Sequence, residues 1–356
     1  LHAFHREAVE TPSHDTVEAM RDLLVETLAA AGHDARIDDS GTVRAERSAG
    51  DGDHLLLNTH LDTVPPHRPY RRDGDRIYGR GACDAKGPLA AMVRAFDAAT
   101  IDDGRLTLAV TPDEETTQRG AAHLAETLDF DHAIVGEPTG LDVCVGARGQ
   151  FEGTITLTGA SAHAAGTDGI NAVSAAGPVL EAIDRFDAER GPAPDDRLGG
   201  PSLTATQIAG GTAPNRVPET CTITFDRRPV PPETPEEFRA ALADHLGAAL
   251  DVADHEASVA VALAEREAPH LGAFRTAEDA PVVEALQAAG AGPPRAFGAA
   301  TEASLFADRV PTAIVGPGVL ADAEGPVAHA DREYVERDAL DRAADIYEAA
   351  VERLLD

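Results

Sequence analysis

Apolar and polar positions along the chain fall into two regimes. "DTVEAMRDLLVETLAAAG" (15–32) spaces Val17, Met20, Leu24 and Leu28 for one helical face and ends on Gly32 as a stop signal. "HLLLNTH" (54–60) is a short apolar run with a polar end, the pattern of a buried strand. Helix patterns follow at 87–99, 117–128 and over the last 20 or so residues, "YVERDALDRAADIYEAAVERLL". Strand patterns fall at 105–114, 132–138 and 312–318. Strands alternating with helices predict a doubly wound α/β layer built on a mixed sheet.

The middle of the chain obeys a different period. "GQFEGTITLTG" (149–159) alternates strictly, as a half-exposed antiparallel strand does. A helix near 170–188 follows, then a Pro, Gly and Asp loop, strands near 202–210 and 219–228, a helix near 234–249 and a strand near 257–264. That βαββαβ order is a ferredoxin-like α+β layer. The expected organisation is a discontinuous α/β domain, 1–148 and 266–356, interrupted by an inserted domain, 149–265.

Composition narrows the setting. With 62 acidic and 30 basic residues, the net charge of −32 excludes a nucleic-acid surface. The pervasive periodicity argues against disorder, and the acidic excess resembles that of proteins from salt-rich cytoplasms. No apolar run reaches membrane-span length, and no signal-peptide pattern precedes the first helical segment. Cys83, Cys144 and Cys221 are too few and too scattered for a disulfide framework, so a reducing cytoplasm is expected. Cys83 reads as a small buried filler.

Candidate chemistry collects where strands end. His60 and Asp62 close the first buried strand in "NTHLDT"; Asp84 sits in the glycine-rich "GRGACDAKG". Glu114 and Glu115 follow the next strand in "PDEET", Glu137 the one after in "GEPT", and His329 lies in "PVAHAD". Taken singly, such acids mean little in so acidic a chain. Together, in order and each at a strand end, they converge on the crevice where open parallel sheets bind ligands. Such crowded carboxylates repel unless a cation neutralises them. Two histidines and three carboxylates (His60, Asp84, Glu115, Glu137, His329) suit a pair of borderline ions such as zinc, with Asp84 bridging. Two ions about 3.5 Å apart can activate water and polarise a carbonyl. Asp62 then orients His60, and Glu114 serves as general base. The adjacent glutamates, pointing opposite ways in extended chain with a local bend, divide these tasks. The other eleven histidines (2, 5, 14, 33, 54, 67, 123, 132, 245, 255 and 270) are expected on the surface or in loops.

With these residues in order, nearly the whole chain resembles the dizinc aminoacylases and exopeptidases that include acetylornithine deacetylase, succinyl-diaminopimelate desuccinylase and carboxypeptidase G. "HLDTVP", "GRGACDAKG", "PDEET", "GEPT", "GASAHAA" and "AHADREYV" carry the resemblance. It implies the same five zinc ligands, Asp84 as bridge, Asp62 as the orienting acid and Glu114 as base; Co2+ or Mn2+ would be substitutes. The peptide after Asp84 is often cis in relatives. The inserted domain resembles the family's lid and dimerisation layer, which implies a homodimer. His163 matches a histidine that reaches the partner subunit's site, while Asn215 and Arg228 match residues that hold the substrate. Gly298 and Thr301 fall in a substrate loop whose residues depart from the family here.

The expected activity is removal of an N-acyl group from an amino acid with a free carboxylate. N-succinyl-diaminopimelate, in lysine biosynthesis, is the first substrate expectation. Acetylornithine, on the arginine route, comes next, then lysine or ornithine joined to an amino-group carrier protein. Dipeptidase or carboxypeptidase action is the rival within the class, and a non-catalytic metal-binding dimer the rival outside it. Lys86, the chain's only lysine, stands two residues from Asp84, where the wider head of arginine is expected not to fit.

Overall fold

The computed structural model describes residues 1–356, and its contacts divide them into two compact units, Leu1–Ala147 with Arg275–Asp356, and Arg148–Phe274. The sequence boundary at 265 falls short of the second unit's end. Gln150 bridges Leu271 and donates its amide to the Leu271 carbonyl at 2.8 Å, which keeps the segment after the last strand with the insertion.

The first unit is built on a nine-stranded mixed sheet. Its central strands, Gly104–Thr111, His54–His60, His132–Val135 and Thr312–Ile314, are neighbours in that order and run parallel. His54–His60 is buried at every position, and this is why it reads as a continuous apolar run rather than an alternation. Val43–Ala49 adds an antiparallel strand beside Gly104–Thr111, and Asp142–Ala147 one beside Thr312–Ile314. Neither was anticipated from the pattern. Predicted strands 105–114, 132–138 and 312–318 end earlier than expected, because their polar tails turn away from the sheet.

Helices cover this sheet through the faces that the periodicity marked. Met20, Leu24 and Leu28 of Glu18–Ala30 are buried, as are Leu340, Tyr347 and Val351 of Arg337–Leu354. That last helix packs on Lys86–Ala98 and Pro281–Ala288, and the Tyr347 hydroxyl donates to the Val315 carbonyl at 2.6 Å. No helix is long and apolar enough to cross a membrane.

The second unit is an antiparallel sheet in the order Ser202–Gly210, Thr220–Arg228, Phe151–Thr158, Ser258–Leu263, with helices Ala172–Glu189 and Pro235–Val252. The βαββαβ order is as expected. Phe151 alternates inward with Ile155 and Leu157 and meets Phe186, Phe225 and Phe238 in one core. Each helix starts on a side-chain cap. Asn171 accepts from the amides of Val173 and Ser174, and Thr234 forms a reciprocal capping box with Glu237.

Four of the histidines expected at the surface are instead buried: His5, His54, His132 and His245. Three of them spend a ring nitrogen on a local partner. His5 Nε2 lies 2.9 Å from the Ala82 carbonyl, His54 Nε2 2.8 Å from Thr107 Oγ1, and His245 Nε2 3.0 Å from the Ala182 carbonyl. His132 Nε2 lies 3.4 Å from the Asp53 carboxylate. These contacts satisfy part of each imidazole inside a core.

Arg227 is the second unit's buried charge. Its side chain is fully enclosed, forks onto both oxygens of Glu233 at 2.7 Å, also bonds Asp187, and lies over the rings of Phe186 and Phe238. Arg227→Ala would strand the buried Glu233 carboxylate, so stability in urea should fall by about 3–5 kcal/mol. A loss below about 1 kcal/mol would show that the pair is replaceable by water.

Candidate active site

Parallel pairing assembles the site. His60 ends its strand opposite Thr111, and Asn58 pairs with Val135, so the segments carrying Asp62, Glu114, Glu115 and Glu137 leave the same edge of the sheet. Asp84 arrives from the turn before helix Lys86–Ala98, and His329 from the loop after the Gly325–Pro326 strand.

The closest geometry centres on Asp84. Its Oδ1 lies 3.3 Å from His60 Nε2 and its Oδ2 3.2 Å from His329 Nε2. His329 Nε2 is also 2.9 Å from Glu115 Oε1. One ligating atom each from His60, Asp84 and Glu115 lies within 4.8 Å of the others. Asp84 thus presents one oxygen to each imidazole, and its own peptide to Ala85 is cis. Glu137 is buried beside this group, with its Oε1 accepting from Thr301 Oγ1 at 3.0 Å.

Asp62 does more than the sequence suggested. His60 Nδ1 lies 3.0 Å from the Asp62 carbonyl oxygen and 3.2 Å from its carboxylate. The same carboxylate accepts the amides of Glu114 at 3.1 Å and Glu115 at 3.0 Å. It therefore fixes the turn that aims both glutamates. That turn corrects the extended geometry expected for the pair: the strand ends at Thr111, and residues 114–117 curl back.

The electrostatics are those of an overfilled anionic cleft. Burial raises Glu114 and Glu137 well above the ordinary carboxylate range; Glu137 adds to the first shift and Asp84 to the second. Burial would lower His60, but the Asp62 and Asp84 carboxylates overcome it and raise the imidazole well above its usual value. Asp84 and Glu115 raise His329 to about 10. Burial would raise Asp84, yet the two imidazoles hold it below its ordinary value.

These residues fit a pair of cations. If the His60 ring is neutral with Nδ1–H directed at Asp62, its Nε2 carries a lone pair. That buried nitrogen has no hydrogen-bond partner and faces a carboxylate 3.3 Å away. A lone pair held against an anion is repulsive unless a proton or a metal lies between them. Nitrogen and oxygen donors in this mixture are those of a zinc-type site.

Three neighbours of the cluster were missed from sequence: Glu302, Arg80 and Glu333. Glu302 is fully buried, with both carboxylate oxygens 2.9 Å from Thr111 Oγ1, and burial pushes it up to about 8. Thr301, named from sequence within the expected substrate loop, also supports Glu137 through its hydroxyl. Arg80 and Glu333 form a buried pair beneath Asp84. The "GRG" and "DREYV" segments already contained them, but nothing local joins residues so far apart in sequence.

Lys86 opens its helix rather than sitting in a loop. Burial lowers it to about 7, and its Nζ donates to the Thr11 carbonyl at 2.7 Å. A Cβ on Gly81 would come within 2.8 Å of the Lys86 stem, so the channel around the lysine is narrow. Cys83 is fully buried, and a Cβ on Gly318, itself at φ +85°, would meet its Cβ at 2.3 Å. Its role is that of a small filler.

Within the second unit, His163 ends one arm of the two-stranded ribbon Ala162–His163 with Arg216–Val217, and Asn215 immediately precedes the other arm. The Ala164 amide donates to the Asn215 carbonyl at 2.9 Å, and both residues are exposed. Arg228 is half-buried and bonded to Asp226, whereas its neighbour Arg227 is committed to the core.

The chain is similar to several known proteins. A metallohydrolase from Methanocaldococcus jannaschii is 32% identical over 183 residues, 49% of this chain and about half (51%) of that protein's length. A provisionally named LysW-lysine/LysW-ornithine hydrolase of Pyrobaculum aerophilum is 33% identical over 239 residues, covering 66% of this chain and 67% of the relative. An acetylornithine deacetylase of Aliivibrio salmonicida is 29% identical over 299 residues, 79% of this chain and 77% of its own. Among solved structures, the aminopeptidase PepT of Bacillus cereus superposes with a TM-score of 0.79 at 19% identity, over 99% of this chain and 97% of its own. The sequence profile of peptidase family M20/M25/M40 matches residues 56–353, so the chain belongs to that family of hydrolases.

Proposed function

We propose that this chain is a dinuclear metal-dependent amide hydrolase that frees an amino acid of the ornithine or lysine type from an amide on its amine. The observation that carries the reading is Asp84, whose two oxygens each face an imidazole. His60, Asp84 Oδ1 and Glu137 would hold one ion, and Asp84 Oδ2, Glu115 and His329 the other. Zinc suits the donor set, with Co2+ or Mn2+ as substitutes. When bound, such ions polarise the amide carbonyl and lower the pKa of water.

The rest falls to the chain's own side chains. Glu114, half-buried and placed by the Asp62 carboxylate, accepts the proton of the attacking water and returns it to the departing amine. Asp62 holds the tautomer of His60. His163 supplies a donor to the developing oxyanion, and Asn215 and Arg228 hold the carbonyl and carboxylate of the substrate. The named relatives support acetylornithine or a carrier-linked lysine or ornithine as substrates, with N-succinyl-diaminopimelate as the further candidate.

A competitive panel of these three substrates with dipeptides, run on zinc-loaded protein, tests the reading. Acylated or carrier-linked amino acids should turn over and dipeptides should not, and exhaustive chelation should abolish the reaction. Glu114→Gln should keep both ions while activity falls at least ~100-fold. Amide hydrolysis that survives chelation would defeat the proposal, and two bound ions with no turnover on any amide would favour the binding-protein alternative.

A homodimer through the inserted unit extends this reading. Ser202–Gly210 is an edge strand of its sheet, mostly exposed, with Ile208 53% accessible, and Val173 on the helix Ala172–Glu189 is 42% accessible. An open strand edge of this kind is suited to pairing with a second copy. If His163 acts across that interface, His163→Ala should remain dimeric yet slow. Mixed dimers with a Glu114→Gln subunit should regain activity, and failure of the two variants to complement would remove the cross-subunit role.

The net charge of −32 supports a cytoplasm rich in salt as the working medium. Screening lengths fall from about 10 Å at 0.1 M to about 3 Å at 1 M, which relieves repulsion between surface carboxylates. The melting temperature should therefore rise by several degrees between dilute and molar KCl. An unchanged value would contradict this adaptation.

A further inference from the structure

Arg80 and Glu333 are each 1% exposed, which makes them an unusual place to store two charges. Nη1 of Arg80 lies 2.7 Å from Oε2 of Glu333. The other Glu333 oxygen, Oε1, accepts the backbone amides of Cys83 and Asp84, both at 3.2 Å. On the opposite side, Arg80 Nη2 donates to the His329 carbonyl at 3.1 Å and Nη1 to the Ala330 carbonyl at 3.4 Å. Nε reaches the Pro66 carbonyl at 3.3 Å. His329 itself sits at φ +62°, a left-handed conformation that an L residue adopts only when its surroundings hold it.

We propose that the Arg80–Glu333 pair is a positioning clasp that sets the distance between Asp84 and His329, and with it the affinity of the His329 half of the metal site. The clasp grips the backbone of both residues while touching neither side chain. Glu333 fixes the segment that carries Asp84, Arg80 fixes the segment that carries His329, and the ion pair joins the two grips. Buried ion pairs contribute little net stability against apolar packing, so geometry is the better account of why this one is kept. Its strength lies in the planar fork of arginine, which meets two carbonyls and a carboxylate in fixed directions. The network reaches the His60 half only through Asp84, so the larger effect falls on the His329 half, where the backbones of both Asp84 and His329 are gripped. The inference rests on the reading of Asp84 and His329 as metal ligands.

The test measures metal binding rather than turnover. Metal-free wild type, Glu333→Gln and Arg80→Lys are titrated with Zn2+ by calorimetry and with Co2+ by visible absorption, with circular dichroism as the check on folding. Gln at 333 can still accept from the Cys83 and Asp84 amides, but its amide group meets the arginine donor to donor. Lysine at 80 keeps the charge and loses the fork. Wild type should bind two ions. Each variant should bind the first ion with affinity close to wild type and the second about 10–100-fold more weakly, as expected for ligands that have lost their outer support. The Co2+ spectrum of the second ion should shift. Arg227→Ala, which breaks a comparably buried pair in the other unit, should lower stability and leave both ions and the spectrum unchanged. Equal affinities in wild type and in either folded clasp variant, or equal weakening of both ions, would overturn the clasp alone. Wild type that binds fewer than two ions would overturn the functional reading and the clasp with it.

Discussion

One carboxylate organises the catalytic unit. Asp84 lies between two imidazoles, one on each oxygen, at the edge where parallel strands deliver Glu114, Glu115 and Glu137. No arrangement of so many acids in so little water is favourable by itself. The surrounding structure can be understood as what is needed to hold them there: a fully buried strand ending in His60, a turn fastened by Asp62, and a left-handed residue at 329. The fold supplies rigidity so that the cleft can remain unfavourable until it is neutralised.

That constraint explains the layering of polar groups beneath the cleft. Asp62 collects two backbone amides and an imidazole; Thr301 supports Glu137; Glu302 rests on Thr111. Each is a hydrogen bond spent on orientation in a region where an apolar side chain would pack more cheaply. Lys86 shows the same economy. Its amine leaves the charged centre for the Thr11 carbonyl, so the segment just after the first helix, His2–Glu10, is tied to the loop that carries Asp84.

How much of this was legible in the sequence depends on distance along the chain. His60, Glu115 and Glu137 could be named as candidates because each follows a local apolar run that announces a strand end, whereas Asp84 was named from a glycine-rich turn before a helix and His329 from the loop after the last strand. Period-two alternation likewise marked Phe151–Thr158 and the insertion around it. Val43–Ala49 was lost because Arg44, Glu46 and Ser48 alternate with only two fully buried positions, which weakens the apolar signal. Arg80 and Glu333 were lost for another reason. Their partnership spans 253 positions, and no local period reports it. Histidines 5, 54, 132 and 245 were misplaced because a sequence shows that a side chain is polar but not that a carbonyl, hydroxyl or carboxylate waits for it in the core.

The discontinuity of the catalytic unit has a consequence for how the protein comes into being. A ribosome delivers His60, Asp84, Glu115 and Glu137 first, then the whole of Arg148–Phe274, and only afterwards His329 with the strand Thr312–Ile314 that sits inside the sheet. The inserted unit is continuous and can complete itself while its host is still unfinished. The nascent cleft must wait with its acids gathered and one imidazole absent, so the cluster around Asp84 is completed only after the whole inserted unit has been made.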